Sequence, residues 1–264
     1  MAKKHRPLNP SPPLGKLNVW VVKFGGSLLS DRSARRSFLK DAARIARKEP
    51  LVLVHGGGPE INAALEKMGI VSKWMNGRRV TDPVAMGVVE GVLSGQVNKN
   101  LVGELNELGV RAVGLSGRDG GLLNATPVRT LGRVGEPDKA NPHLLTVLLK
   151  AGYLPVLSSV AAGKDFGALN VNADEAAAAV AVALKARRLV YLTDVPGVLD
   201  SHKKTIPTIR VSEIKKLIQG KVITGGMIPK ILSCQNALKK GVKEINIIDG
   251  RAGLLKQLGT RLIP

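Results

Sequence analysis

The 264-residue chain reads as an α/β protein built on one mostly parallel sheet with helices on both faces. Leu51 to Asn62 (LVLVHGGGPEIN) passes from an apolar run through glycines into a helical pattern, and Asn18 to Ser27 (NVWVVKFGGS) passes from a strand into Gly25 and Gly26. Strand-length apolar runs then alternate with helix-length amphipathic runs as far as Ile248. These observations together predict the class.

Leu51 to Val54 is an uninterrupted apolar run, which predicts a strand buried on both faces in the middle of the sheet. His55 ends it, and Pro59 suits the first turn of a helix carrying Ile61, Leu65 and Met68 on one side. Between them, Gly56, Gly57 and Gly58 let an anion approach the main chain where a helix start leaves N–H groups unpaired. For three glycines alone, a tight turn without a ligand explains the pattern as well, so the neighbouring sequence must decide.

In chain order, residues 1–17 carry Pro7, Pro10, Pro12 and Pro13 among basic residues, predicting a disordered tail. Asn18 to Phe24 is a strand containing Lys23, and Ser33 to Glu49 is an amphipathic crossover helix with Phe38, Ala42 and Ile45 inward. The resulting βαβ unit places both glycine turns at the carboxyl edge of the sheet, where open α/β sheets bind ligands. Asn76-Gly77 within VSKWMNGRRVTD predicts a hairpin able to overhang that edge. Val84 to Leu108 is a long helical pattern in which Gly87, Gly91 and Gly95 allow close approach or a kink. Val110 to Leu115 is a strand, followed by a polar, Pro-containing excursion from SGRDGG to Asn141.

A helix (Pro142 to Ala151), a strand (Tyr153 to Ser158) and a loop to Gly167 come next. In LNVNADE, Asn170, Asn172 and Asp174 alternate and would share one side of an extended segment, with Asn172 or Asp174 capping the alanine-rich helix. The pattern resumes with strand Leu189 to Thr193, loop DVPGVL, helix Val211 to Gln219, turn KVITGGM, helix Ile228 to Lys240 and strand Glu244 to Ile248.

Composition bounds the function. A 44% hydrophobic chain supports a sizeable core, and the single Cys234 excludes an internal disulfide or a multi-cysteine metal site. No apolar run approaches the roughly 18 residues of a membrane span, and the start MAKKHRPLNPSPPLGK lacks the apolar core of a secretory signal, so a cytoplasmic protein is expected. Forty Lys and Arg against twenty Asp and Glu give a net charge of +20, which would attract polyanions. Aromatic residues are only 3% and the charge is spread over many helices, so no specific nucleic-acid partner is expected.

Two glycine turns on adjacent strands, Lys23 beside one of them, and a third glycine turn ahead of Lys230 suggest phosphate handling, although no GxxxxGK[ST] occurs. Phosphoryl transfer mainly needs charge and donors placed around the moving group. VVKFGGSLL, HGGGPEIN, NGRRVTD, GLSGRDGGLL, GYLPVLSSV, LNVNADEAA, LTDVPGVLD and ITGGMIPK, in this order, resemble the amino acid kinase family. Within it they are most similar to the branch that phosphorylates N-acetyl-L-glutamate in arginine biosynthesis. The resemblance covers nearly all of residues 18–264.

The resemblance implies a three-layer αβα sandwich, a substrate-binding and dimerisation lobe at 18–187 and a nucleotide-binding lobe at 188–264. It implies ATP, with Mg2+ bound through the nucleotide, and a homodimer. Lys23 and Lys230 would flank the γ-phosphoryl group, with Asp174 holding both. Gly57, Gly58, Arg79, Asn170 and Asn172 would bind substrate, Arg79 pairing with a carboxylate. Gly25, Gly26, Asp194, Gly197, Leu199, Gly225, Gly226 and Met227 would contact the nucleotide. No protein metal ligand is implied, and His55 is left out of the chemistry because an ionised carboxylate needs no general base.

A sister branch acting on aminoadipate or glutamate attached to an acidic carrier protein is the alternative, which the +20 charge would suit; NGRRVTD and LNVNAD resemble the free-acid branch more closely. KFGGS also suggests aspartate kinase, though no regulatory domain follows, and a basic RNA-binding protein on a kinase fold is opposed by the intact Lys23, Asp174 and Lys230 set. Neither the N-terminal helix nor the acidic C-terminal loop of the arginine-sensitive branch is visible in the sequence, so insensitivity to arginine is expected.

Overall fold

A computed structural model of the chain describes residues 17–75, 77–165, 167–225, 227–256 and 258–264. The tail predicted over residues 1–17 lies outside these, apart from Leu17. Strand β1 (Trp20–Phe24) leads through α1 (Ser27–Ser30) to α2 (Arg32–Ala46) and β2 (Leu51–His55). Asp31 starts α2 by accepting from the N–H groups of Ser33 and Ala34, and Phe38, Ala42 and Ile45 are buried as their spacing predicts. Every residue of β2 is buried. Helix α3 (Gly58–Lys67) buries Ile61 and Leu65, but Met68, predicted on the same side, is 60% exposed. The helix has ended at Lys67, and Gly69, at φ +70°, turns the chain away.

The predicted hairpin is formed by β3 (Lys73–Met75) and β4 (Arg78–Val80), with Gly77 at φ +75°; Asn76 lies outside the described residues. Helix α4 (Pro83–Glu90) runs through a π-helical stretch (Gly91–Val97) into α5 (Asn98–Glu107), so the glycine-rich middle is widened. After β5 (Ala112–Ser116), the excursion read as irregular contains β6 (Leu123–Pro127) and β7 (Val134–Ala140). Then come α6 (His143–Lys150), β8 (Leu154–Ser158), β9 (Val160–Ala162), within the predicted loop, and β10 (Ala168–Val171). Strands β10, β7, β6 and β9 close into a small barrel. Pro127, Pro137 and Gly135 interrupt the apolar alternation that would have marked these strands.

Helix α7 (Ala173–Ala183), β11 (Arg188–Thr193), β12 (Thr208–Arg210), α8 (Ile214–Gln219), α9 (Met227–Lys239), β13 (Glu244–Asp249) and β14 (Gly259–Ile263) complete the chain. The main sheet runs β12-β14-β13-β11-β1-β2-β8-β5, parallel throughout except where β14 meets β13. Alternation along β1 and β2 divides the core. Val21, Val52 and Val54 pack with Leu145 of α6, Val180 of α7 and Cys234 of α9. Val22, Phe24 and Leu53 pack with Phe38 of α2 and Leu101 and Leu105 of α5. Helices on both faces of the sheet give the predicted three-layer sandwich.

Candidate active site

Strands β1 and β2 are parallel neighbours, so their glycine turns emerge side by side, tied by the Gly56 N–H donating to Phe24 O at 3.2 Å. The glycines serve different needs. Gly26 sits at φ +66°, in the left-handed region, with open space around it. Gly57 needs the room: a Cβ there would stand 2.7 Å from Leu93 Cδ2, on the π-helical stretch. Among the described residues, none accepts from the N–H groups of Gly26, Gly57 or Gly58.

Asp174 lies in the first turn of α7, and Asn172 is the cap, its Oδ1 accepting from the N–H groups of Asp174 (2.8 Å) and Glu175 (3.3 Å). The capping role is thus taken by Asn172, leaving the Asp174 carboxylate available. The strand stops at Val171 and the extended backbone at the cap Asn172, so Asp174 joins the two asparagines by helix geometry and not by strand alternation. Lys23 Nζ stands 2.9 Å from Asp174 Oδ1, and Lys230 Nζ, from the first turn of α9, donates to Oδ2 at 2.5 Å. Burial pushes the Asp174 carboxyl up, but the charges of Lys23 and Lys230 outweigh it and hold the group below the usual carboxylate range. Two ammonium groups from distant parts of the chain are thereby fixed around one point.

Two cavities meet there. The first, about 240 Å³, is lined by Lys23, Gly25, Gly26, Gly57, Gly58, Arg79, Asn170, Asn172 and Asp174. Arg79 is 5% exposed, its guanidinium donating to Ser72 Oγ and Asn62 Oδ1 and lying 4.6 Å from the Trp74 ring centre. No carboxylate among the described residues pairs with it. A buried guanidinium with only neutral partners is suited to receive an anion. Asn170 Nδ2 donates to Thr81 Oγ1 at 3.3 Å.

The second cavity, about 300 Å³, is lined by Lys23, Gly25, Gly26, Leu192, Thr193, Asp194, Val195, Met227 and Lys230. Lys23, Gly25 and Gly26 belong to both cavities. Gly197 and Leu199 line neither: Gly197 packs against Thr205 and Thr260, and Leu199 bridges to Thr205. Gly225, at φ +55°, precedes α9 and also lies off the cavity walls; Gly226 is outside the described residues. His55 is buried beneath the first cavity's glycine turn without lining it.

Sequence reading missed Arg78, Trp74 and Ser159, all on the first wall. Arg78 Nη1 donates to Glu136 Oε1 at 2.9 Å and Nη2 to Glu175 Oε1 at 2.7 Å, fastening the hairpin to β7 and α7. Strand alternation would send Arg78 to the face opposite Arg79, yet both line this wall, so the pattern gave no signal for it. A larger hollow, about 750 Å³, lies beyond Arg78 between β7, α7 and α9, away from both lysines of the pair.

Comparisons with known proteins agree with this geometry. The model of the amino acid kinase family matches residues 18–249. An acetylglutamate kinase of Endomicrobium trichonymphae is 49% identical over 240 residues, covering 91% of this chain and 96% of that protein. An acetylglutamate kinase of Geobacter metallireducens is 46% identical over 245 residues, covering 88% and 84%. Among solved structures, smu.665 from Streptococcus mutans superposes with TM-score 0.81 at 34% identity, covering 93% of this chain and 98% of that one. A carbamate kinase from Giardia lamblia, with TM-score 0.67 at 16% identity over 94% of this chain and 99% of that one, shares the fold.

Proposed function

The chain belongs to the amino acid kinase family, and from that premise we propose that it transfers the γ-phosphoryl group of ATP to the side-chain carboxylate of N-acetyl-L-glutamate, giving an acyl phosphate and ADP. The observation that carries this reading is the shared wall: Lys23, paired through Asp174 with Lys230, separates a cavity holding an uncompensated buried arginine from a second cavity lined by glycines, Leu192, Val195, Met227 and Lys230. The relatives named acetylglutamate kinase favour the free acid over a carrier-linked substrate.

In this mechanism Arg79 holds the α-carboxylate, Asn170 and Asn172 orient the acyl amino acid, and Gly57 and Gly58 offer N–H groups. The side-chain carboxylate attacks as an anion, so no base has to remove a proton. Lys23 and Lys230 face the oxygens of the moving phosphoryl group as charge spreads over them, and Asp174 keeps both ammonium groups in place without further reorganisation. Gly25, Gly26, Asp194 and Met227 belong to the nucleotide side.

The residues present fit a Mg2+ ion carried by the nucleotide's phosphates. The Asp174 carboxylate is already paired by both lysines, which would leave the nucleotide's phosphates to carry the ion. When bound, the ion supplies charge neutralisation between the phosphates. The lobe division at 187/188 is part of the reading, supported because the first cavity draws no residue beyond Asp174 while Leu192 to Val195, Met227 and Lys230 come from the second lobe. A cytoplasmic homodimer is the assembly we propose, on the family resemblance.

Incubation with MgATP, N-acetyl-L-glutamate and hydroxylamine is expected to trap the acyl phosphate as a hydroxamate. Absence of that product, with turnover of free glutamate, aspartate or aminoadipate instead, defeats the reading.

A further inference from the structure

Below the second glycine turn lies a buried polar chain that the mechanism does not use. His55, the last residue of β2, is 1% exposed, and Asn98, at the start of α5, is fully buried. Asn98 Nδ2 lies 2.9 Å from Val156 O and 3.0 Å from His55 Nε2, while its Oδ1 accepts from Lys99 Nζ at 3.3 Å. A carbonyl cannot donate, so the atom facing Val156 O must be the amide nitrogen. The same nitrogen also lies 3.4 Å from Leu115 O; since an amide nitrogen cannot accept, a proton on His55 Nε2 would find no acceptor in it, and Nε2 faces it as the acceptor. The ring proton therefore sits on Nδ1 and is donated to Gly56 O at 2.8 Å.

That hydrogen bond has a directional consequence. In a trans peptide the C=O and N–H point to opposite sides, and among the described residues no peptide bond is cis. Pinning Gly56 O downward with His55 turns the N–H of Gly57, in the same peptide unit, toward the cavity that Gly57 lines. The rest of the surroundings keep this arrangement in one state. A Cβ on Gly114 would fall 1.9 Å from Asn98 Oδ1, so β5 leaves room for the amide only through glycine. Leu93 presses on Gly57 from the π-helical stretch. Burial, only partly offset by the bond to Gly56, lowers the His55 pKa to about 4, with Lys99 adding to the fall, so the ring is neutral at physiological pH.

We infer that His55, with its tautomer set by Asn98, is a positioning residue for phosphoryl transfer: it fixes the Gly56–Gly57 peptide so that the Gly57 N–H faces the reacting oxygens. The inference rests on the kinase reading for its catalytic half and on hydrogen-bond chemistry alone for its structural half. Asn places a donor nitrogen near the position of imidazole Nδ1, whereas Gln places one near Nε2 and Leu has none.

His55→Asn, His55→Gln and His55→Leu are compared by steady-state kinetics with MgATP and N-acetyl-L-glutamate, each checked for a wild-type circular dichroism spectrum. His55→Asn is expected to keep kcat within about three-fold, whereas Gln and Leu lower kcat by about 10- to 100-fold, below the loss from deleting an oxyanion donor outright, with both KM values little changed. Equal impairment of all three variants, or a Leu variant as fast as wild type, overturns the catalytic half. Nitrogen-15 NMR of wild-type imidazoles between pH 6 and 8 tests the structural half without any substrate and without any variant having to fold. A neutral His55 protonated on Nδ1 is expected; an Nε2–H tautomer or an imidazolium overturns it. If wild-type enzyme does not act on acetylglutamate, the kinase reading fails while the NMR result still decides the His55 geometry.

Discussion

The first cavity, proposed for the acceptor, is walled by charged and polar side chains already bonded to one another, whereas the second, proposed for the nucleotide, sets Leu192, Val195, Met227 and two glycines beside Lys23, Asp194 and Lys230. On the first side Arg79 is fixed by Ser72, Asn62 and Trp74, Arg78 by Glu136 and Glu175, and Asn170 by Thr81. On the second, Leu192, Val195 and Met227 surround the space, and Thr193 Oγ1 is turned to the N–H of Val195. The difference teaches where discrimination resides. Under the proposed function, the acceptor would be selected by preorganised side chains whose charges do not have to reorient, while the nucleotide side would combine glycine N–H groups and shape with Lys23 and Lys230.

The comparison breaks first at the shared wall, where Lys23→Ala and Lys230→Ala are each expected to lower kcat by at least about 100-fold, the scale of losing a transition-state charge partner. Losses below ten-fold in a rapid-quench assay would mean that the two cavities do not meet at the chemistry. Arg79→Ala tests the acceptor side alone. A charge-assisted hydrogen bond contributes about 1.5–3 kcal/mol, so the KM for acetylglutamate should rise about 10- to 100-fold while the KM for ATP stays near wild type. A fall in kcat alone would remove Arg79 from the binding role.

Asp174 sharpens the picture through pH. Its folded pKa is depressed by Lys23 and Lys230 against the upward push of burial, so its stabilising contribution is complete above the unfolded value of about 3.9 and is lost as pH falls through the lower folded value. Thermal melts of wild type and Asp174→Asn should therefore differ most near neutrality and converge below about pH 4. A constant gap down to pH 3 would contradict the ion-pair account. The smallest expected effect is none: millimolar arginine should leave rates unchanged, because Gly250 to Pro264 contain no acidic residue and the acceptor side presents positive charge. Marked inhibition, or a hexameric mass in light scattering, would refute this and the dimer respectively.

Much of this was legible in the sequence because β2 is an apolar run from Leu51 to Val54 and β1 is apolar apart from Lys23, each leading into glycines, and buried central strands tolerate little else. Lys23 and Lys230 were legible for a related reason, as cations beside glycine turns. The small barrel was not: β9 has three residues, and β6 and β7 carry prolines on a sheet that does not need every donor. Nor did spacing reveal that Asn172 is the cap and Asp174 the carboxylate between the two lysines, since both lie at a strand-to-helix junction where two residues of offset exchange the roles. Gly197 and Leu199 came from a motif, yet they shape a loop against Thr205 and Thr260 whose packing partners are distant in sequence.

Strand β14 carries a consequence for how the chain is made. It comes late in the sequence yet occupies the slot between β12 and β13, and β12 pairs with β14. During synthesis β1, β2, β8 and β5 can associate while the ribosome is still adding residues, but β12 has no neighbour to dock against until residues 259–263 emerge. Until then β13 exposes an unpaired edge, the kind of surface that recruits other chains. The last strand inserted thus closes the β11–β14 half of the sheet, and removing residues 259–263 should leave a nascent protein that aggregates through this edge.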